Sequence, residues 1–383
     1  MNKEAQLSTI RLLVENKGDA CLICTFVNQY YLTGRLFKGY VYLPAEGETL
    51  FFVQREADLP DSQVHRIRKP EDIPGILKSL NYPLPKTLFL EAGQIPYNDF
   101  LRLETIFSPA KTGDATALLR RARMIKSAWE IEQIRISAGK HVEAYGEIPS
   151  LFRPGMRDID FQIEIERLMR RHGSLGVFRT FGDMDIFMGS LLTGDNASAP
   201  SPYDFALGGA GMSPCLPVGC SGETIHEGNA VMIDFAGNFT AYLSDMTRVL
   251  AFGKLPSEVL RAHQLSIDMQ ARLEEEVREG VTCSSVWRWS LAMAEKAGFG
   301  GNFMGTRFRA KFVGHGIGLE INEPPVLTAR SEDVFLENMV FAYEPKFVFE
   351  GVGAVGNENT FIVHSDGIER LTTFDETIGQ LAI

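Results

Sequence analysis

The stretch 231–248 constrains this chain more than any other, because it predicts two β-strands that each carry an aspartate. We place the turn between Phe239 and Thr240. This register puts Asp234 directly opposite Asp245, with Cβ atoms roughly 5 Å apart. Carboxylates that close repel each other, and a divalent cation between them would remove the repulsion. Two unrelated surface aspartates in a hairpin explain the stretch equally well, so both interpretations stay open at this point.

A second strand–turn–strand pattern covers residues 340–363. Its turn is centred on Gly351, a residue type that tolerates positive φ, and counting outward pairs Glu344 with Glu358. His315 lies between the two patterns, among glycines that would let the backbone approach a metal ion closely. Four carboxylates and one imidazole suit two divalent ions, because the formal charges nearly cancel. Together the two hairpins and the histidine predict a dinuclear metal centre.

These features resemble the motifs of the pita-bread metallopeptidase family, which includes methionine aminopeptidase, aminopeptidase P, prolidase and creatinase. The motifs that carry the resemblance are the Asp234/Asp245 hairpin, Gly314-His315-Gly-Ile-Gly-Leu-Glu320, Glu344-Pro345 and Glu358-Asn-Thr360. Matching motifs nearer the N-terminus are Asp19-Ala-Cys-Leu-Ile-Cys24, Tyr31-Leu-Thr-Gly34 and Arg123-Met-Ile-Lys126-Ser-Ala-Trp-Glu-Ile131. The last of these opens the catalytic domain in two-domain members, so the resemblance covers nearly the whole chain.

Helix and strand patterns predict an N-terminal α/β region followed by a longer region with a repeated plan. In the longer region a pair of helices precedes each hairpin, which indicates two like halves. The resemblance implies the same α+β architecture. A smaller α/β creatinase-type N-terminal domain would precede a C-terminal pita-bread (creatinase/aminopeptidase) fold with pseudo-twofold halves. We expect these domains at residues 1–120 and 121–383.

The resemblance also implies roles for the predicted ligands. Asp234 would chelate one ion, and His315 with Glu344 would hold the other. Asp245 and Glu358 would bridge the two ions, with a shared hydroxide as the nucleophile. Glu344 would also carry a proton from the attacking water to the leaving amine. Oxygen-rich ligands with a single imidazole favour manganese, with cobalt, iron or zinc as alternatives.

Three further side chains are candidates to support these ligands through hydrogen bonds: Thr247, Arg248 and Thr360. For Arg248 a surface ion pair is an equally good interpretation. The arginine therefore has two open roles on sequence grounds.

Two positions depart from the pattern of the peptidases that the chain resembles. Those enzymes carry a substrate-contacting histidine upstream of the first aspartate, where this chain has Pro217 in register. They carry another within a His-Glu-x-Pro pattern, where this chain has Asn322. Asn322 could still donate a hydrogen bond to substrate, but it carries no charge. The segment 208–219 could shape a different pocket or form a flexible rim.

Net charge and cysteine content restrict the binding partners and the cellular compartment that we expect for this chain. A net charge of −11 over 383 residues argues against nucleic acid or an anionic membrane as the main partner. Five cysteines are an odd number, which suits a reducing cytoplasm. Cys21 and Cys24 lie in the apolar run Ala20–Val27, which predicts a buried strand. Cys215 and Cys220 lack zinc ligands at suitable spacing and are interpreted as structural.

The resemblance implies hydrolysis of peptides, as an Xaa-Pro aminopeptidase or dipeptidase. A non-peptide C–N hydrolase on the same fold is the alternative, and a non-catalytic binding protein ranks last. The resemblance implies a homodimer. The G-x-G-x-x-G at 351–356 is followed by β-rich sequence, so we interpret it as a hairpin rather than a dinucleotide site and expect no NAD or FAD.

Overall fold

The structure, a computed structural model, describes residues 2–182 and 188–382. The chain divides into two compact units, Met1–Arg123 and Met124–Ile383. In the first unit the helices are α1 Lys3–Glu15, α2 Phe26–Thr33, α3 Ile73–Ser79, α4 Tyr97–Ile106 and α5 Thr116–Met124. Its strands are β1 Ala20–Ile23, β2 Gly39–Pro44, β3 Leu50–Val53, β4 Val64–Arg66, β5 Thr87–Leu90 and β6 Lys111–Asp114.

The first unit is built on one mixed sheet with the strand order β4-β3-β2-β1-β5-β6. Apolar side chains of the sheet pack against Leu77 of α3 and Leu103 of α4. The predicted strand Ala20–Val27 is too long. The buried carboxylate of Glu91 accepts hydrogen bonds from the backbone N–H groups of Cys24 (2.7 Å) and Thr25 (2.9 Å), so these groups leave the sheet and α2 follows.

In the second unit the helices are α6 Ala128–Glu147, α7 Asp158–Arg171, α8 Ser257–Glu276 and α9 Cys283–Lys296. Its strands are β7 Gly189–Thr193, β8 Asn229–Gly237, β9 Ser244–Phe252, β10 Phe312–Gly316, β11 Glu323–Thr328, β12 Val340–Tyr343, β13 Lys346–Phe349, β14 Gly353–Gly356, β15 Asn359–Val363, β16 Ile368–Arg370 and β17 Gly379–Gln380. The strand orders are β17-β9-β8-β7, β11-β10-β12-β15-β16 and β13-β14.

The predicted repetition is present in the order of these elements. The pair α6 and α7 precedes the β8–β9 hairpin, and the pair α8 and α9 precedes the strands from β10 to β15. A capping box begins α6, with the Ser127 side chain at the Glu130 N–H and the Glu130 carboxylate at the Ser127 N–H. One apolar cluster contains Phe161 and Ile233, and a second contains Phe341 and Val313 together with Met232 of β8.

The glycines at 351–356 form the β13–β14 hairpin, as predicted. Gly351 has φ 74°, which a residue with a Cβ rarely adopts. A strand, β15, follows the hairpin where a dinucleotide motif would require a helix. Within the described parts of the chain, every helix is too short or too polar to cross a bilayer.

Candidate metal centre

The β8–β9 hairpin carries the two aspartates, but its register differs from the predicted one. The strands pair Asp234 with Thr247 and Ala236 with Asp245. The two aspartates therefore lie on one face of the sheet as diagonal neighbours rather than directly opposite each other. The turn is centred one residue further along the chain than predicted.

Contacts between this turn and α6 explain the shift. Ser137 Oγ donates to the carbonyl of Tyr242 (2.7 Å) and accepts the N–H of Thr240 (3.1 Å). The Tyr242 hydroxyl donates to the buried carboxylate of Glu130 (2.7 Å). These bonds hold the turn against the helix, and the strand register follows from them.

The glutamate pair follows the predicted register. β12 and β15 pair Tyr343 with Asn359, and β13 and β14 pair Lys346 with Gly356. Both pairs have the same register, and Glu344 and Glu358 lie between them. Glu344 therefore lies opposite Glu358. This hairpin closes on a glycine-centred turn, so the local sequence sets its register.

His315 lies in β10, between β11 and β12. The flanking glycines are explained by neighbouring strands rather than by the approach of an ion. A Cβ at Gly314 would lie 2.3 Å from the carbonyl oxygen of Ala342, and one at Gly316 would lie 2.1 Å from that of Pro324. The sheet therefore requires glycine at both positions to keep its strands paired.

The imidazole faces three carboxylates. His315 Nε2 lies 3.8 Å from Asp245 Oδ2 and 3.6 Å from Glu344 Oε1. Glu358 Oε1 lies 4.0 Å from the same nitrogen and is buried without a hydrogen-bond partner. These separations exceed hydrogen-bond lengths, but two atoms that each bind one ion at about 2.0–2.2 Å can lie this far apart. Asp245, His315 and Glu358 therefore offer ligand atoms to one divalent cation, and Glu344 lies beside the histidine.

Lys346, which is absent from the predicted site residues, lies among the remaining carboxylate oxygens. Its buried Nζ donates to Asp234 Oδ2 (2.8 Å) and Glu344 Oε2 (2.7 Å). A longer bond of 3.3 Å reaches Glu358 Oε2. The signal was present in the sequence, because Lys346 follows Glu344 by two residues in an extended segment and so points to the same face.

Burial and repulsion shape the protonation of the cluster. Burial and the neighbouring carboxylates raise the pKa of Asp245 well above its ordinary value. Burial also raises the pKa of Glu344, and that of Glu358 to about 8, although Lys346 partly offsets both. For Lys346 burial favours the neutral amine, but three carboxylates outweigh this effect and raise its pKa. The cluster thus holds four carboxylates and one ammonium, and a further cation would relieve the repulsion that raises these pKa values.

Thr247 and Thr360, two of the predicted supporting residues, form hydrogen bonds with residues of the cluster. Thr247 Oγ1 donates to Glu358 Oε2 (2.7 Å). Thr360 Oγ1 donates to the Asp245 carbonyl (2.9 Å) and accepts the Asp245 N–H (2.8 Å). Thr247 thus orients a carboxylate, whereas Thr360 fixes the backbone that carries one.

Arg248 is buried, so the interpretation as a surface ion pair is wrong. Its guanidinium donates to the carbonyls of Glu358 (2.8 Å) and Phe374 (3.0 Å) and to Asn359 Oδ1 (2.8 Å). Burial lowers the pKa of this guanidinium to about 10. The arginine ties the strand that carries Asp245 to the strand that follows Glu358.

Asn322 has both polar groups of its amide engaged. Its Oδ1 accepts the N–H of Phe181 (2.7 Å), and its Nδ2 donates to the Phe181 carbonyl (2.8 Å). The adjacent Ile321 N–H donates to the carbonyl of Arg179 (2.9 Å), and Arg179 forms a bridge with Glu320. This geometry supports a role for Asn322 in positioning the segment 179–182.

Hydrogen bonds within the segment 208–219 and to neighbouring residues stabilise its conformation. Gly219 N–H donates to the Gly208 carbonyl (2.7 Å), and Asn196 Oδ1 accepts the Ala210 N–H (2.7 Å). The Pro217 carbonyl accepts a bond from Ser201 Oγ (2.9 Å).

The cysteines are free thiols. Cys21 is buried in β1 as predicted, whereas Cys24 follows that strand. Cys220 is buried, and its thiol donates to Gln162 Oε1 (2.9 Å), while Cys215 is exposed. These contacts agree with a structural role for Cys220.

Replacing Thr247 by valine tests the hydrogen bond to Glu358. Valine keeps the shape but removes the donor, so Glu358 Oε2 loses one of its partners. We expect the affinity for Mn²⁺ to fall about 10- to 100-fold, the range for residues that orient metal ligands. Titration calorimetry on chelator-stripped protein measures this change, and Thr377→Val, at an exposed threonine, is the control. Unchanged affinity in Thr247→Val would contradict the orienting role.

Comparisons with known proteins identify the family of this chain. Residues 132–365 match the model of metallopeptidase family M24, and residues 8–125 match the creatinase/prolidase N-terminal domain. An Xaa-Pro dipeptidase of Pyrococcus furiosus is 25% identical over 380 residues, covering 97% of this chain and 98% of the relative. The prolidase structure from Pyrococcus horikoshii has a TM-score of 0.78 at 22% identity, covering 97% and 99% of the two chains. An X-Pro aminopeptidase structure from Thermotoga maritima has a TM-score of 0.79 at 24% identity, covering 98% and 99%. The chain belongs to metallopeptidase family M24.

Proposed function

We propose that this protein hydrolyses peptides at Xaa-Pro bonds, as an aminopeptidase or dipeptidase that depends on a divalent metal ion. The observation that carries the proposal is the partnerless, buried Oε1 of Glu358, which faces His315 Nε2 beside Asp245 and Glu344. The names of the relatives supply the substrate class, because several are Xaa-Pro dipeptidases.

The side chains suggest separate roles in metal binding and proton transfer. Asp245, His315, Glu344 and Glu358 would hold the ion. The chemistry that such an ion supplies is Lewis-acid activation of water and of the scissile carbonyl. Glu344 would accept the proton of the attacking water and return it to the leaving amine, a task that a raised pKa favours. Asp234 and His315 retain some exposed surface while Asp245, Glu344 and Glu358 are buried, so substrate would approach from the side of Asp234 and His315.

Manganese is the proposed ion, since most of the donors are carboxylate oxygens, with cobalt, iron or zinc as alternatives. The family resemblance implies two ions. The donors around His315 suit the first of them. The oxygens around Asp234 bind the ammonium of Lys346.

The remaining proposals concern organisation. We propose an N-terminal domain at residues 1–120 and a catalytic domain at 121–383, in keeping with the two matched family models. A homodimer follows from the resemblance to two-domain relatives. Free cysteines support a reducing cytoplasm as the compartment.

The direct test is a panel of short Xaa-Pro peptides with Mn²⁺-reconstituted protein and a chelator-treated control. Chelator-sensitive cleavage before proline is the expected result. Glu344→Gln should lower kcat by about 10²- to 10⁴-fold, the usual contribution of a general acid–base. Glu350→Gln, at an exposed glutamate of the same hairpin, should behave as wild type. Metal binding without cleavage of any Xaa-Pro peptide would favour the non-peptide C–N hydrolase.

Asn322→His tests the departure from the His-Glu-x-Pro pattern. An imidazole cannot reproduce both hydrogen bonds that the amide makes to Phe181, so the segment 179–182 should shift. We expect the ratio of kcat/KM between two Xaa-Pro peptides to change while manganese content stays constant. Asn322→Asp, which keeps only the acceptor, should show a smaller change. Loss of manganese in Asn322→His would show that the residue supports the metal centre instead.

A further inference from the structure

Among the described residues, two groups of side chains could bind a metal ion, and Lys346 Nζ lies within one of them. One group consists of Asp245, His315 and Glu358, and the other of Asp234, Glu344 and Glu358. Lys346 Nζ is hydrogen-bonded to every member of the second group, at 2.7 to 3.3 Å. These are the oxygens that an ion in that group would use. An ion and the ammonium therefore cannot occupy this space together.

The backbone holds the lysine in this place. Lys346 begins β13 opposite Gly356, in the register that also joins Tyr343 to Asn359. Its side chain is fully buried and points to the face that carries Glu344. A Cβ at Gly356 would lie 2.2 Å from the Pro345 carbonyl oxygen, so the two strands are closely packed here. The register of β13 therefore sets the face of the strand from which the lysine side chain leaves the backbone.

The two glutamates divide their oxygens between the two positions. Glu344 directs Oε1 to His315 and Oε2 to Lys346. Glu358 directs its partnerless Oε1 to His315 and its Oε2 to Lys346 and Thr247. Each carboxylate thus has one oxygen at His315 and the other at the ammonium of Lys346. This is the arrangement of two cations bridged by carboxylates, with the protein supplying one of the cations.

We propose that the ammonium of Lys346 replaces one of the two metal ions, and that the centre binds a single divalent ion between Asp245, His315, Glu344 and Glu358. The inference rests on the proposed metal-dependent function and specifies its stoichiometry. Because the ammonium of Lys346 binds Asp234, this aspartate pairs with the lysine and is not a metal ligand. The site then has one ion to activate water, with the ammonium close to it.

The test counts metal in the full-length protein. Wild type, Lys346→Ala and the control Lys254→Ala, at an exposed lysine, are stripped with chelator and dialysed against excess Mn²⁺. Elemental analysis then gives manganese per chain, and electron paramagnetic resonance distinguishes isolated ions from coupled pairs. We expect one isolated ion in wild type and in Lys254→Ala. We expect two coupled ions in Lys346→Ala, because the smaller side chain frees the three oxygens around Asp234.

Each possible metal count supports or contradicts the proposal of a single ion. Two ions per wild-type chain would overturn it and leave the peptidase function intact. One ion in folded Lys346→Ala would also overturn it, since the ammonium would then not be what excludes the second ion. No bound manganese in wild type would overturn both the inference and the metal-dependent function. If Lys346→Ala does not fold, the wild-type count and spectrum still distinguish one ion from two.

Discussion

Glu358→Ala is expected to release the metal ion and abolish hydrolysis. The substitution removes the partnerless Oε1 beside His315 and the Oε2 that binds Thr247 and Lys346. Losing a ligand should exceed the 10- to 100-fold effect of losing a residue that only orients one, so we expect a drop of more than about 10²-fold in kcat/KM. Elemental analysis and the Xaa-Pro assay measure the two effects independently.

Asp245→Ala should give the same double loss, because its Oδ2 faces the same nitrogen of His315. Asp366→Ala, at an exposed aspartate in the same unit, is the control and should keep both metal and activity. Full activity in either Glu358→Ala or Asp245→Ala would contradict the assignment of the metal centre.

Lys126→Met is expected to destabilise the fold by about 3–5 kcal/mol, the range for breaking a buried ion pair. Lys126 Nζ lies 3.0 Å from Glu323 Oε2, and both side chains are 1% exposed. Glu323 Oε1 also accepts the N–H groups of Leu319 (3.0 Å) and Glu320 (3.3 Å). The pair therefore stabilises the loop that follows His315, and denaturant unfolding of the metal-free protein measures its loss.

The matched control is Arg167→Met, which removes the cation of a more exposed pair with Glu164. Such pairs contribute about 0–1 kcal/mol, so this variant should unfold close to wild type. The double variant Lys126→Met/Glu323→Gln should lose less free energy of unfolding than the sum of the two single variants. The reason is that Glu323→Gln removes the buried charge that Lys126→Met leaves without its partner. Additive costs would show that the two side chains are not coupled.

The sequence was sufficient where local chemistry determines the structure. A turn centred on Gly351 sets the register that brings Glu344 opposite Glu358. Ser127 and Glu130 mark the start of α6 through their reciprocal hydrogen bonds. The repeated order of helix pairs and hairpins likewise follows from patterns within single segments, and so the two-part fold was predictable.

The sequence was insufficient where residues distant in the chain decide the outcome. Ser137 on α6 shifts the aspartate hairpin by holding its turn, so Asp234 pairs with Thr247 instead of Asp245. The Glu91 carboxylate, which follows the neighbouring strand β5, ends β1. No local pattern contains such contacts, because they exist only after the elements have packed.

The composition of the metal centre shows the same division. The sequence by itself determined which carboxylates and which histidine could meet, because strand periodicity places them on inward faces. Only the tertiary structure decided what each one contacts: Asp234 binds the Lys346 ammonium, and Asn322 binds the Phe181 backbone. The physical reason is that donors and acceptors from several strands compete for the same buried space, and packing decides which of them are close enough to bond.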